Sequence, residues 1–299
     1  MGATGNQGGA VARALLSSGG FNVNALSRKT NSEVMDKLVK QGATPVQADP
    51  ADKDSLVKAF QGCDYAFLMT TGQEQDEFGT GKAAVDACIE AAVKYILWST
   101  LDNTSKMSGG RIVIPFYDNK AKVQDYIQTT KIAATFVHPG CFISNFIDFH
   151  WLRPADKPNT LIFAPPIFKR GTKVLCSWIE KDMGQTALAA FSDFGKDDRW
   201  LGREVIVGSI FGTFGDAVKV IERDTGVTVE YAEMSRETCI KFMPSDVISL
   251  FEFHQEFTER EGVQYPDPFL VEKKVLPTWT WEDFVEEELK PALAKWQKQ

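Results

Sequence analysis

Histidine is scarce in this 299-residue chain, with only His138, His150 and His254. No two are close enough to share a helix face, so a His-rich metal site is not expected. Cysteine is also thin. Cys63, Cys88, Cys141, Cys176 and Cys239 are scattered, with no C-x-x-C spacing. Such a set reads as reduced thiols, and a cytoplasmic or nuclear location is expected. No signal-peptide pattern is seen, and no apolar run reaches the roughly 18 residues that span a bilayer. Basic charge is not in excess either. Lys and Arg number 33 against 40 Asp and Glu, a net charge of −7. That balance gives no footprint for nucleic acid or anionic membrane. The sequon Asn103-Thr104-Ser105 has no secretory context and is expected to be inert. Repeats and low-complexity stretches are absent.

What is present is an alternation of short apolar runs and helical patterns. Helices are predicted over 9–18, 32–40, 53–60, 80–93 and 117–129. Strands are predicted over 21–27, 45–48, 65–69, 95–98 and 133–137. Tyr65-Ala66-Phe67-Leu68-Met69 is apolar throughout, as a strand covered on both faces would be. This rhythm with short connectors predicts an α/β protein with a doubly wound parallel sheet. After about residue 140 the rhythm breaks. Aromatics become dense, and prolines cluster at Pro154, Pro158, Pro165 and Pro166. Strands over 173–178, 204–208 and 227–232 and helices over 212–224 and 245–260 follow. A last helix is predicted from Trp279 to Lys290, opened by the capping pattern Thr280-Trp281-Glu282-Asp283. Two regions are expected: 1–150 as a nucleotide-binding domain, and 151–299 as a smaller substrate-side lobe that supplies the last sheet strands.

The turn Gly2-Ala3-Thr4-Gly5-Asn6-Gln7-Gly8 has glycine at every third position and runs straight into a helix. Glycine lets the backbone approach a pyrophosphate, and the helix start offers free N–H groups and a positive dipole end. A buried strand normally precedes this motif, and only Met1 does here. The chain as given is therefore expected to lack its first strand. At the end of the second strand an acid would bind the ribose of NAD, whereas a base accommodates the 2′-phosphate of NADP. The sequence has Ser27-Arg28-Lys29-Thr30 there and no acid, which favours NADP(H).

Taken together, Gly-Ala-Thr-Gly-Asn-Gln-Gly-Gly, then Ser27-Arg28, then Asp49-Pro50-Ala51-Asp52 resemble the NmrA-like branch of the atypical short-chain dehydrogenase/reductases, relatives of the isoflavone-reductase-like enzymes. The segment from Phe116 to Tyr126 resembles that family's lysine-bearing helix. His138-Pro139-Gly140-Cys141-Phe142-Ile143-Ser144-Asn145-Phe146 resembles its R-P-G-x-F-x-x-N-F segment, with His138 where Arg is common. The resemblance implies a Rossmann-like fold and several roles. Gly2, Thr4, Gly5, Asn6, Gln7 and Gly8 would bind the pyrophosphate, Arg28 the 2′-phosphate, and Asp49 would lie near the adenine. Thr70, Thr71 and Ser99 would lie beside the nicotinamide half. Lys120 would contact the nicotinamide ribose and support catalysis as its lysine. The Tyr-x-x-x-Lys pair of the wider superfamily is absent, because Phe116 stands four residues before Lys120 and Tyr117 only three.

His138 reads either as a general acid or as a hydrogen-bonded structural histidine, with the second favoured. Phe142, Asn145 and Phe146 are candidates for a substrate pocket, although this aromatic group reads equally as core. Two functions stay open. One is an NADP(H)-dependent oxidoreductase acting on a small aromatic, enone or quinone-like molecule. The other is an NADP-sensing regulator that binds a transcription factor or another protein partner.

Overall fold

The structure is a computed structural model, and it describes residues 1–257, 264–276 and 279–296. The first half follows the βα rhythm closely. Helix α1 spans Asn6–Ser18, strand β1 Asn24–Ser27, α2 Glu33–Lys40, β2 Thr44–Gln47 and α3 Lys53–Phe60. Then come β3 (Tyr65–Leu68), α4 (Glu77–Glu90), β4 (Tyr95–Ser99), the short α5 (Thr104–Met107), α6 (Pro115–Thr129) and β5 (Ala133–Pro139). The starts are chemically marked. Ser32, Asp52 and Asp76 cap α2, α3 and α4 with their side chains, and Pro115 opens α6 where a missing N–H costs nothing.

The parallel layer is in two parts. β1 pairs with β2, and a four-stranded sheet runs β3-β4-β5-β10, where β10 is Glu204–Val207 from the second half. Residues Met1–Ala3 run between β1 and β3. The Met1 ammonium donates to the Phe67 carbonyl at 2.7 Å, and the Ala3 N–H donates to Leu26 at 3.1 Å. The slot where a preceding strand was expected is thus bridged by this short segment. The order, with α helices packed on the layer, is that of a doubly wound α/β protein. The central strands β3, β4 and β5 are largely buried, and all five residues of β4 are.

The second half continues with β6 (Cys141–Phe142), α7 (Asn145–Asp148), β7 (Leu152–Pro154), β8 (Thr160–Phe163), β9 (Lys173–Ser177) and α8 (Ile179–Asp193). After β10 come β11 (Ile210–Thr213), α9 (Phe214–Thr225), β12 (Thr228–Tyr231), α10 (Arg236–Cys239), α11 (Ser245–Phe257) and α12 (Pro268–Glu272). The helix expected over 245–260 is described to Phe257, and its last three positions lie outside the described residues. The C-terminal helix starts with the Thr280–Asp283 capping box as α13 (Trp281–Phe284). It passes through a π-helical turn, Val285–Leu289, and ends as α14 (Lys290–Trp296).

Two small mixed sheets, β11-β9-β6 and β12-β8-β7, enclose an aromatic core. Phe146 sits at its centre, fully buried, with rings of Trp151, Phe163, Phe214, Trp281 and Phe284 around it. Helix α8, which the sequence reading missed, lies along α1. A side chain at Gly184 would stand 3.0 Å from the Ala10 carbonyl and 3.1 Å from Ala14 Cβ. Arg13 on α1 holds Glu180 on α8 through both its Nε and a terminal nitrogen.

Candidate nucleotide site

The turn before α1 is built so that backbone can meet an anion. Gly2 has φ +71°, a left-handed conformation that glycine reaches without strain. A side chain at Gly8 would overlap the Gly2 carbonyl oxygen and stand 2.6 Å from that of Met1. Gly5 donates to Gly2 at 3.0 Å and precedes the helix without a capping side chain. The first turn of α1 carries no acid. Its free N–H groups and dipole end are therefore open to a phosphate. The cradle fits a dinucleotide pyrophosphate.

The candidate residues gather at the carboxyl ends of β1, β3 and β4 and on the facing side of α6, the crevice where open α/β sheets bind ligands. Thr4 and Ser27 hydroxyls approach at 3.3 Å. Arg28 is exposed, and no ion pair to it is found among the described residues. Asp49 is exposed in the loop after β2, where its Oδ1 accepts the Ala51 N–H at 3.0 Å. The Ser99 hydroxyl donates to Gln7 Oε1 at 2.7 Å, tying the end of β4 to the first turn of α1. Thr71 is exposed, its N–H bonded to Glu74 at 2.8 Å.

Lys120 lies on the buried face of α6, 6% exposed. Its ammonium donates to Glu77 Oε1 and, at 3.3 Å, to the Phe116 carbonyl. The Thr70 hydroxyl donates to the same Glu77 oxygen at 2.7 Å. The Lys120 carbonyl in turn accepts from Trp98 Nε1 at 3.1 Å and from the Thr100 hydroxyl at 3.4 Å, which pins this turn of the helix to β4. Glu77 was not singled out from the sequence. It is 43 residues from Lys120 and reads locally as an ordinary acid in a helix first turn.

The other candidates separate. Tyr117 turns away from this group, with its hydroxyl 2.7 Å from His254 Nε2 on α11. His138 is sandwiched between Glu204 Oε2 at 3.3 Å and Asp102 Oδ1 at 3.8 Å. The His138 contact holds the Glu204 carboxyl below its ordinary range. Phe142 is half-buried in β6, and Asn145 donates to Cys141 Sγ at 3.9 Å. Phe146 is sealed in the aromatic core and presents no surface to a ligand. A cavity of about 850 Å³ lies elsewhere, lined by Arg111, Val113, Arg236, Glu252, Gln255 and Glu256. It is open and polar, and its two guanidiniums are paired with Glu256 and Glu252.

Comparison with known proteins places these features in context. The sequence pattern of the NmrA-like family matches residues 1–290. An NmrA-like family domain-containing protein of Dictyostelium discoideum is 32% identical over 54% of this chain and 55% of its own length. The NmrA-like family domain-containing oxidoreductase lnaB of Aspergillus flavus is 30% identical over 76% of this chain and 72% of its own. With the first of these curated relatives, then, the match spans about half of the relative's length. Among solved structures, NmrA, described as a negative transcriptional regulator and solved with NADP, superposes with a TM-score of 0.81 at 19% identity. It covers 99% of this chain and 96% of its own. An NADPH-dependent quinone oxidoreductase of Escherichia coli, solved with NADPH, gives 0.72 at 18% identity, covering 95% and 97%. No described helix is long and apolar enough to cross a membrane.

Proposed function

The chain belongs to the NmrA-like family, and on that footing we propose that it is an NADP(H)-dependent reductase of a small aromatic, enone or quinone-like molecule. The observation that carries this reading is the pairing of the Gly2–Gly8 cradle with Arg28. Among the described residues the guanidinium has no ion pair at the end of β1, where no acid is present to select NAD. Relatives support it, since one solved neighbour holds NADP and another is an NADPH-dependent quinone oxidoreductase.

Bound there, the dinucleotide would supply a hydride, and a proton from solvent would complete reduction of the acceptor. The residues do the positioning. The amides of the α1 start and Arg28 would hold the two phosphate groups. Thr70 and Ser99 would flank the nicotinamide half, and the Lys120 ammonium would hold the ribose hydroxyls and favour negative charge developing on the acceptor oxygen. Phe142 and Asn145 would stand on the acceptor side.

A second reading has its own support. The wider superfamily's tyrosine is replaced by Phe116, and Tyr117 is engaged with His254. A protein so built could bind NADP(H) and present different surfaces to a protein partner in its bound and empty states.

Calorimetric titration with NADPH and NADH, followed by an acceptor screen, separates the readings. Arg28→Ala is expected to weaken NADPH by about tenfold to a hundredfold, the worth of one or two charge-assisted hydrogen bonds, and to leave NADH within about threefold. Acceptor-dependent NADPH oxidation that is lost in Lys120→Ala supports the reductase. Equal affinity for both nucleotides refutes the Arg28 assignment. Tight NADPH binding without turnover on any quinone or enone moves the weight to the regulator.

A further inference from the structure

We propose that Glu77 is a positioning residue for Lys120, keeping its side chain charged and turned to the nucleotide cleft. The inference rests on the reading of Lys120 as a nucleotide contact. Both groups are nearly inaccessible, Glu77 at 4% and Lys120 at 6% exposure. Helices α4 and α6 do not need this ion pair to stay together. A side chain at Gly81 of α4 would stand 2.6 Å from Val123 Cγ2 of α6, and Val85 and Val123 are both fully buried in one apolar cluster. Apolar residues of similar volume commonly serve a helix contact as well as a buried pair or better. A charge kept at such a cost, at the carboxyl end of a parallel strand, points to a use of the charge itself.

The donor count agrees. An ammonium has three N–H donors. Glu77 takes one and the Phe116 carbonyl another, leaving one for a ligand. Thr70 steadies the accepting oxygen of Glu77 from the end of β3. The neighbouring charged groups are engaged elsewhere, and Glu74, just before α4, takes the Thr71 N–H at 2.8 Å. Asp118 of α6 is bonded to Thr104 and Ser105 beside α5, and Asp86 of α4 is bonded to Lys82 and Tyr126. On α11, His254 faces Tyr117, and Glu256 pairs with Arg111. Asp102, beyond the end of β4, and Glu204, at the start of β10, flank His138 near the end of β5. Glu77 is therefore the counter-charge of Lys120.

Glu77→Gln keeps a side chain that can still accept but removes that charge. Burial without a counter-charge favours the neutral amine. The test is NADPH affinity, by nucleotide fluorescence, from pH 7 to 9.5, where a phosphate monoester with second pKa near 6 is already ionised. The wild type is expected to change less than about threefold. Glu77→Gln is expected to lose at least about tenfold toward the alkaline end. Lys120→Met, alone or combined with Glu77→Gln, is expected to bind more weakly but with the wild type's flat profile. A flat profile in Glu77→Gln, with Lys120→Met weakened, overturns the role of Glu77 alone. Unchanged affinity in Lys120→Met overturns the reading of Lys120 itself. Should Glu77→Gln fail to fold, Glu77→Asp takes its place, since it retracts the carboxylate by one methylene. A loss of at least about fivefold in NADPH affinity at an unchanged melting temperature supports the proposal. Wild-type affinity in Glu77→Asp overturns it.

Discussion

Asp182 stands in the first part of α8, the helix that lies along α1. It is fully buried. Its Oδ2 accepts the Trp178 N–H at 2.8 Å and the Ser209 hydroxyl at 3.0 Å, while Oδ1 has no partner among the described residues. Burial raises the carboxyl from 3.8 to about 6. A raised acid pKa means that the folded state holds the proton more tightly than the unfolded chain. Below about pH 4 both states are protonated and there is no penalty. Between 4 and 6 only the unfolded chain releases its proton, so stability falls as pH rises. Above 6 the penalty is constant, about 2 pK units at 1.36 kcal/mol each, or about 3 kcal/mol. Asp182→Asn cannot titrate. It keeps an acceptor for Trp178 and Ser209 but puts an amide where Oδ1 has no partner, a cost of about 1–3 kcal/mol that does not vary with pH. The assay is urea unfolding of both proteins from pH 4.5 to 7.5. Paired carboxylates such as Glu204 contribute slopes of opposite sign, and these cancel in the difference. The wild type is expected to lose about 2 kcal/mol relative to Asp182→Asn across that range. A difference constant within about 0.5 kcal/mol would refute the reasoning.

Three further outcomes are expected. Gly8→Ala should abolish NADPH binding at concentrations that saturate the wild type, measured by calorimetry, because the new methyl overlaps the Gly2 carbonyl and the turn must open. Phe146→Ala should cost about 3–5 kcal/mol in urea unfolding, as large-to-small core substitutions do. It should leave NADPH affinity unchanged, and a loss of affinity without a loss of stability would place Phe146 at a ligand instead. Tyr117→Phe should cost about 1–2 kcal/mol by loss of its bond to His254. Any acceptor-dependent turnover should persist, and its disappearance would make Tyr117 the proton donor.

The first half of the fold was legible because its signals are local. Caps at Ser32 and Asp52, left-handed Gly42 after α2 and apolar runs such as Tyr65–Leu68 each fix an element within a few residues. Helix α8 was not legible. Its capping position is Trp178, which supplies no side-chain acceptor, and Gly184 interrupts it. Two polar residues, Asp182 and Thr186, also fall on its buried face and blur the period. Ile179, Met183, Ala187, Ala190 and Phe191 join one apolar cluster with α1 residues Ala10, Val11 and Leu15. Strands β7 and β8 are only 3 and 4 residues long, and the prolines around them hide the alternation.

The site divides along the same line. The glycine turn and Arg28 lie within one βα unit, so their spacing carries their meaning. The Lys120 group depends on which way α6 faces, and there a single position matters. On a helix, a residue four before another lies about 40° to one side of it and a residue three before lies about 60° to the other. Phe116 and Tyr117 therefore diverge. A side chain at Gly72, in the loop after β3, would stand 2.9 Å from Phe116 Cβ, whereas the Tyr117 hydroxyl reaches His254 on α11. A tyrosine shifted by one residue thus becomes a bolt to α11 instead of a neighbour of the lysine. That much follows from counting along one helix. The counter-charge at Glu77 does not, because only the packing of α4 on α6 brings it to Lys120, and nothing in the local sequence of either helix records the meeting.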